Sequence, residues 1–276
     1  MPPTWDEFVA WASLQAAQAS GRPALRRRWL GLRALADQVK DQIGPDEVRR
    51  LLGKDFSQLD PEQNDLKALV AYAAGKGILP DAAVLQTVLH DDANADPLYF
   101  LAAHSGKTFG EKYAPMFAEF WLSEGFDGWS KKKSSDLYDV GWTPSELDGR
   151  EIRIELKASS EHPKYLFQQI RHPRMSGGQS PDYDLLLCIG VSAAALEWWA
   201  IPANRFDDFA ENGATPEAAA VITRHHGKRR PIWNAEHGFA DEGWFRADPN
   251  ARKVLQAFSC EHSHLLRATV LALFQD

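Results

Sequence analysis

The sequence predicts an α/β protein in two parts, an all-helical N-terminal domain followed by a mixed β-sheet core flanked by helices. Three observations carry that prediction. Up to about residue 95 the apolar residues recur at helical spacing and almost nothing has β character. From about residue 136 the apolar period falls to two. The segments beyond then follow in the order helix, hairpin, short element, apolar run and strand, which fits a mixed sheet rather than a bundle.

The helical part comes first. Trp5, Phe8, Val9 and Ala12 share one face, as do Trp29, Leu32, Leu35, Ala36 and Val39. Breaks at "GRP" (21–23), "GP" (44–45), "LDPEQ" (59–63) and "LPD" (79–81) separate the helices. Asp60 before Pro61, with Gln63 in the first turn, reads as a helix start. The polar, Pro-ended "HDDANADP" (90–97) marks the boundary, giving residues 1–95 as the helical domain and 96–276 as the second. In "GKTFGEKYAPMFAEFWLSEGF" (106–126), Tyr113, Met116, Phe117, Phe120 and Trp121 fall on one face of a helix. Pro115 requires that helix to start near it or to kink.

The strands follow. "DLYDVGW" (136–142), the turn "TPSELDG" and "REIRIELKA" read as a hairpin. "KYLFQQIR" (164–171) fits either a strand or a helix. "YDLLLCIGV" (183–191) is a continuous apolar run and hence a central buried strand, and "ALEWWAIPA" (195–203) is the next. Residues 204–276 are less regular, with helices in "ARKVLQAF" and "HSHLLRATVLALF".

Composition narrows the class. Of 276 residues, 44% are hydrophobic and 25% charged, as in a soluble globular protein. No apolar run reaches the roughly 20 residues a membrane span needs, and no signal pattern opens the chain. Two cysteines make no disulfide framework, and a cytoplasmic location is the expectation. The net charge of −7 weighs against a broad nucleic-acid surface, although local basic clusters matter more than the sum. Two clusters stand out: Lys131, Lys132 and Lys133, and the "RHHGKRR" run at 224–230. Read alone, each is a solvated loop.

The chemistry gathers around "RIELKAS". Side chains two apart on a strand share a face, so Glu155 and Lys157 project together. If Asp139 lies on the partner strand, its carboxylate can meet them. Two carboxylates are the minimum that a protein contributes to a Mg²⁺ site completed by water and phosphate oxygens. A lysine beside them can hold a water and stabilise charge on a phosphate. Glu-x-Lys alone is equally a surface ion pair. The upstream Asp, the clean alternation and a preceding helix with Glu111 and Glu119 raise the metal-site reading.

With "LYDV", "RIELKAS", "FQQIRH" and "YDLLLCIGV" in this order, residues 106–203 resemble the PD-(D/E)XK nuclease superfamily, of restriction-endonuclease-like fold. The resemblance implies a Mg²⁺-dependent DNA endonuclease, with Mn²⁺ able to substitute. It implies Asp139 and Glu155 as metal ligands and Lys157 as the catalytic lysine. Tyr138 stands where the family has Pro, and Asp136 competes for the Asp role. A helix glutamate, Glu119 ahead of Glu111, would add a ligand. Gln169 would sit beside the site if "FQQIR" runs along the Glu-x-Lys strand. Phosphate contacts would come from Lys131, Lys132 and Lys133 at one rim, and from Arg224, His226, Lys228, Arg229 and Arg230. Double-stranded DNA is the expected substrate, a homodimer the expected assembly, and restriction-type host defence the expected role. A repair or anti-phage nuclease of the same fold, or a catalytically inactive nucleic-acid-binding protein, is the alternative.

Overall fold

The structure is a computed structural model, and it describes residues 4–55, 58–59, 65–78, 109–123, 128–131, 137–160, 164–174, 180–192, 196–210, 218, 221–224, 233–234, 238–239 and 242–275. The chain divides into two compact units, residues 1–103 and 104–276. The predicted boundary at 90–97 and the helix start at Asp60 lie outside the described residues.

Unit one is helical throughout its described residues: α1 (Trp5–Gln18), α2 (Pro23–Val39), α3 (Pro45–Leu52) and α4 (Asp65–Gly75). Thr4 opens α1 with a capping box closed by Glu7, and Pro starts both α2 and α3. The predicted apolar faces are the buried ones. Trp5, Phe8 and Ala12 are buried on α1, and Trp29, Leu32, Leu35, Ala36 and Val39 on α2. Trp11 meets Trp29 edge to face at 5.0 Å between ring centroids. Beneath α3 and α4 lies a buried polar cluster. Lys76 Nζ is 2.8 Å from Glu47 Oε1 and 2.8 Å from the Gln42 carbonyl, and the Tyr72 hydroxyl donates to Glu47. Each buried charge therefore has a partner, which is the condition for burying it.

Unit two is a mixed α/β layered structure. A six-stranded sheet has the order β1-β2-β3-β5-β6-β11. Its strands are β1 (Trp129–Lys131), β2 (Val140–Trp142), β3 (Ile152–Ser159), β5 (Leu185–Val191), β6 (Leu196–Pro202) and β11 (Ser259–Cys260). Only β3 and β5 pair in parallel; the other pairs are antiparallel. The ambiguous 164–171 segment is a strand, β4 (Leu166–Arg171). It joins β7 (Ile222–Arg224) and β10 (Glu242–Arg246) in a second sheet of order β4-β10-β7. Two of its strands, β7 and β10, fall in the stretch read as less regular. A short pair, β8 (Trp233–Asn234) with β9 (Gly238–Phe239), accompanies it.

The large sheet is covered on both faces. Helix α5 (Ala114–Leu122) starts one residue before Pro115, preceded by a π-helical turn at Phe109–Tyr113. A Cβ on Gly110 would stand 3.8 Å from the Cβ of Ala158, so this turn lies on the face of Ile154, Leu156 and Ala158. Helix α8 (Leu266–Ala272) covers the same face. Its Arg267 stands 5.2 Å from the Trp142 ring centroid and donates to the Leu122 carbonyl ending α5. Two short helices, α6 (Phe206–Phe209) and α7 (Pro249–Val254), and the second sheet cover the other face. There Tyr165, Phe167, Ile170, Leu186, Cys188, Trp199, Ile201, Ile222 and Phe245 share one core. Among the described residues no helix is long and apolar enough to cross a membrane.

Candidate functional site

The site begins with a hairpin. β2 and β3 pair antiparallel, with Val140 opposite Ile154. The turn between them is a 3-10 turn at Ser145–Leu147, closed by Asp148 (φ +51°) and Gly149 (φ +81°). Asp139 lies one residue before β2, outside its paired register, where the charge of Glu155 reaches its carboxylate. Its backbone N–H still donates to the Ile154 carbonyl at 3.0 Å. Alternation along β3 puts Glu155, Lys157 and Ser159 on the face away from α5, and the Asp139 carboxylate is tied to the same strand through the Leu156 backbone N–H. The parallel ladder confirms the side, because Glu155 pairs with Leu186 and Lys157 with Cys188, both in the core under the second sheet.

Glu155 is the centre of the cluster and its side chain is 1% exposed. Lys157 Nζ is 2.7 Å from its Oε1, and Arg171 Nη2 is 2.7 Å from its Oε2. Asp139 Oδ2 accepts from the Leu156 backbone N–H at 2.8 Å. Desolvation by the surrounding protein pushes the Asp139 carboxyl above its usual range, and the negative charge of Glu155 adds to the shift. The residue itself keeps exposed surface, so the cluster is open to solvent on its Asp139 side. Arg171 is held above the ordinary guanidinium range: burial works against its charge, but the hydrogen bond and charge of Glu155 outweigh it.

Arg171 reaches Glu155 because β4 is irregular. β4 runs alongside β3 in the opposite sense, with Leu166 N–H donating to Ser159 Oγ at 3.0 Å at one end and Arg171 meeting Glu155 at the other. Its backbone ladder, however, is with β10, and the register slips between Gly243 and Phe245. The extra residue lies at Gln168–Gln169, and Gln169 takes the left-handed conformation at φ +55°. Strict alternation from the core residue Phe167 would put Gln169 and Arg171 inward. The bulge puts Ile170 inward instead and turns Arg171 toward β3.

The segment before β5 braces the same residues. The Tyr183 hydroxyl donates to the Arg171 carbonyl at 2.6 Å. Asp184 takes the Arg153 side chain in two hydrogen bonds, of 2.9 and 2.8 Å, and accepts from the Arg153 backbone N–H at 2.9 Å. Beside it, buried His172 bonds Asp207 at 2.9 Å, and its other ring nitrogen accepts from the Arg174 N–H. That bond holds the Asp207 carboxyl below its usual range.

The other expected site residues fall elsewhere. Glu119 is buried on α5, which covers the opposite face of the sheet, so it does not join the Asp139–Glu155 pair. Glu111 is exposed in the π turn on that same face. Gln169 is exposed at the bulge, and β4 does not pair with β3 as a ladder neighbour. Among the described residues no group of three His, Cys, Asp or Glu side chains gathers as a metal ion would need. Lys131 ends β1 opposite Val140, with its side chain outside the described residues. Asp136, Lys132, Lys133, His226, Lys228, Arg229 and Arg230 also lie outside them. Arg224 ends β7, paired through its backbone with Gly243. Arg171 and its brace Tyr183 are the residues that sequence reasoning missed. The available signal was Glu155 itself, since a carboxylate on a buried face needs its charge paired and both oxygens hydrogen-bonded.

Comparison of the chain with protein-family models, curated proteins and solved structures found no match. The class that the fold and cluster define is thus a mixed α/β domain with a two-carboxylate, two-cation site.

Proposed function

We propose that the protein is a metal-dependent endonuclease that hydrolyses phosphodiester bonds of double-stranded DNA, built on the restriction-endonuclease-like plan. The observation that carries this reading is the Asp139 carboxylate beside Glu155 just before β2, with Lys157 Nζ 2.7 Å from Glu155 Oε1. Lys157 and Arg171 answer the charge of Glu155, and Asp139 forms no ion pair among the described residues, which leaves one carboxylate charge for a cation to meet.

The donor set fits Mg²⁺, which takes oxygen ligands and is held by one or two carboxylates with water and phosphate. Leu156 uses one Asp139 oxygen and the other is open among the described residues. Each Glu155 oxygen accepts from one cation and retains lone-pair capacity. Bound between Asp139 and Glu155, Mg²⁺ or Mn²⁺ would supply Lewis-acid polarisation of the scissile phosphate. Lys157 orients the attacking water and stabilises charge on the phosphate oxygens. Arg171 holds Glu155 in place when Lys157 turns to the water. The water oxygen bonds to phosphorus, the bond to the 3′ oxygen breaks, and the water's proton passes through solvent to that oxygen. The products are a 5′-phosphate and a 3′-hydroxyl. Two copies related by a two-fold axis would cut both strands, in keeping with a role in host defence.

The test is plasmid nicking in Mg²⁺. Lys157→Ala and Glu155→Ala should each abolish it, and retained cleavage in both would refute this site. A second reading has one observation behind it: both Glu155 oxygens are already neutralised, as in a purely structural ion cluster. A nucleic-acid-binding protein of that kind would hold duplex DNA and cut none in Mg²⁺ or Mn²⁺.

A further inference from the structure

Helix α2 carries its charges in the wrong place for its own stability. Its partial positive end favours acidic side chains, as α1 has in Asp6 and Glu7 and α3 in Asp46 and Glu47. α2 has no acidic residue in its first turn, and Arg22, its N-cap, makes no side-chain cap. Arg26, Arg27 and Arg28 follow within the first two turns, and Arg33 comes later. Arg22 and Arg26 stand four apart, where like charges destabilise a helix by roughly 0.2–0.5 kcal/mol.

Four of these arginines, Arg22, Arg26, Arg27 and Arg33, are open to another partner among the described residues. Arg22, Arg26, Arg27 and Arg33 are exposed. Among the described residues none of the four makes a side-chain ion pair or hydrogen bond. The nearby acidic residues are engaged elsewhere, Asp37 with Lys40 at 3.6 Å and Asp6 with Lys40 at 3.3 Å. At about 100° per residue, Arg22, Arg26 and Arg33 form one narrow stripe, with exposed Leu30 beside it. The stripe is about 16 Å long at ~1.5 Å per residue. The opposite face of α2 is fixed by burial of Trp29, Leu32, Leu35, Ala36 and Val39. The stripe is therefore a rigidly presented row of guanidinium groups.

From this row we infer that α2 is a docking surface for the phosphate backbone of double-stranded DNA. Guanidinium matches phosphate in two parallel hydrogen bonds and stays charged at any working pH. A polyanion of regular charge spacing also relieves the repulsion among the arginines. The choice of duplex DNA over other polyanions rests on the endonuclease reading of the second unit. The stripe supplies affinity without sequence information, since phosphate contacts position a protein and base contacts specify.

The experiment measures duplex binding by the full chain, without divalent metal, over a range of salt concentrations. The proteins compared are wild type, the triple Arg22→Gln/Arg26→Gln/Arg33→Gln, the same triple to Lys, and Lys157→Ala. The Gln triple should bind at least tenfold more weakly, with a salt slope shallower by about 0.9 for each arginine that meets a phosphate. The Lys triple should keep the slope, and Lys157→Ala should change it by no more than about one contact. A Gln triple with wild-type affinity and slope would overturn the inference. So would wild-type binding to phosphatidylserine vesicles or single-stranded RNA in preference to duplex. Plasmid nicking by the Lys157→Ala variant at the wild-type rate would sink the endonuclease site while leaving the binding result intact, so the two failures are distinguishable.

Discussion

Asp139 and Glu155 repel across neighbouring strands, and the sign of that effect is testable. A carboxyl whose folded value is raised binds its proton more readily in the native state, so it opposes folding as pH rises past that value. At neutral pH, Asp139→Asn keeps the acceptor for Leu156 N–H and removes the repulsion. Its metal-free melting temperature should exceed that of wild type, and the difference should vanish at low pH. Mg²⁺ should raise the melting temperature of wild type and leave the Asn variant unmoved. Arg171→Ala should cost about 2–3 kcal/mol in urea denaturation, because it strips a buried carboxylate of one of two partners. Lys157→Ala should lower cleavage about 100-fold or more, within the range for a positioned proton-transfer group. Glu155 and Lys157 were legible from alternation, and the approach of Asp139 from hairpin spacing. Arg171 was not, since alternation cannot foresee an inserted residue.

That inserted residue makes β4 the element on which the cluster depends. A side chain at φ +55° costs about 1–2 kcal/mol relative to glycine. Gln169→Gly should therefore raise stability by about 1 kcal/mol, read as a higher urea midpoint at unchanged slope. Deleting Gln169 should instead turn Arg171 into the core and destabilise the unit. A deletion variant with wild-type stability and nicking would show that the bulge does not aim Arg171. The hairpin and the buried β5 run were readable because their signals are local. The membership of β4 in a second sheet was not, since its partners are supplied by residues 222–224 and 242–246, far along the chain. The helix carrying Glu119 was placed correctly in sequence, yet which face of the sheet it covers is a tertiary choice that periodicity does not encode.

At the scale of the whole molecule the two proposed tasks, binding and cleavage, fall in different units. Unit one offers a basic surface in a protein of net charge −7, and unit two holds the carboxylate cluster. A chain of residues 104–276 should keep metal-dependent nicking but need lower salt and more protein to reach the same rate. Loss of nicking by that folded fragment at every salt concentration would show that unit one contributes more than affinity. The two-unit plan was visible in the switch of period from helical to alternating. The arginine stripe escaped notice although the buried face of α2 was readable, because which acidic residues engage other partners is a tertiary matter.

The bulge also has a consequence in time. The Asp139–Glu155 clash arises within a hairpin, a contact between near neighbours in sequence, which forms early. Arg171 becomes fixed only when β4 has found β10, a pairing that closes a loop of some seventy residues. During folding Lys157, on the same strand, answers part of the repulsion at once, and the share that Arg171 relieves waits for the later pairing. Refolding of the metal-free chain should accelerate as the pH falls toward the range in which Asp139 carries a proton. Asp139→Asn should refold faster than wild type at neutral pH and show no such acceleration. Stopped-flow fluorescence from the buried tryptophans measures both rates, and equal rates for the two proteins across pH would dismiss this order of events.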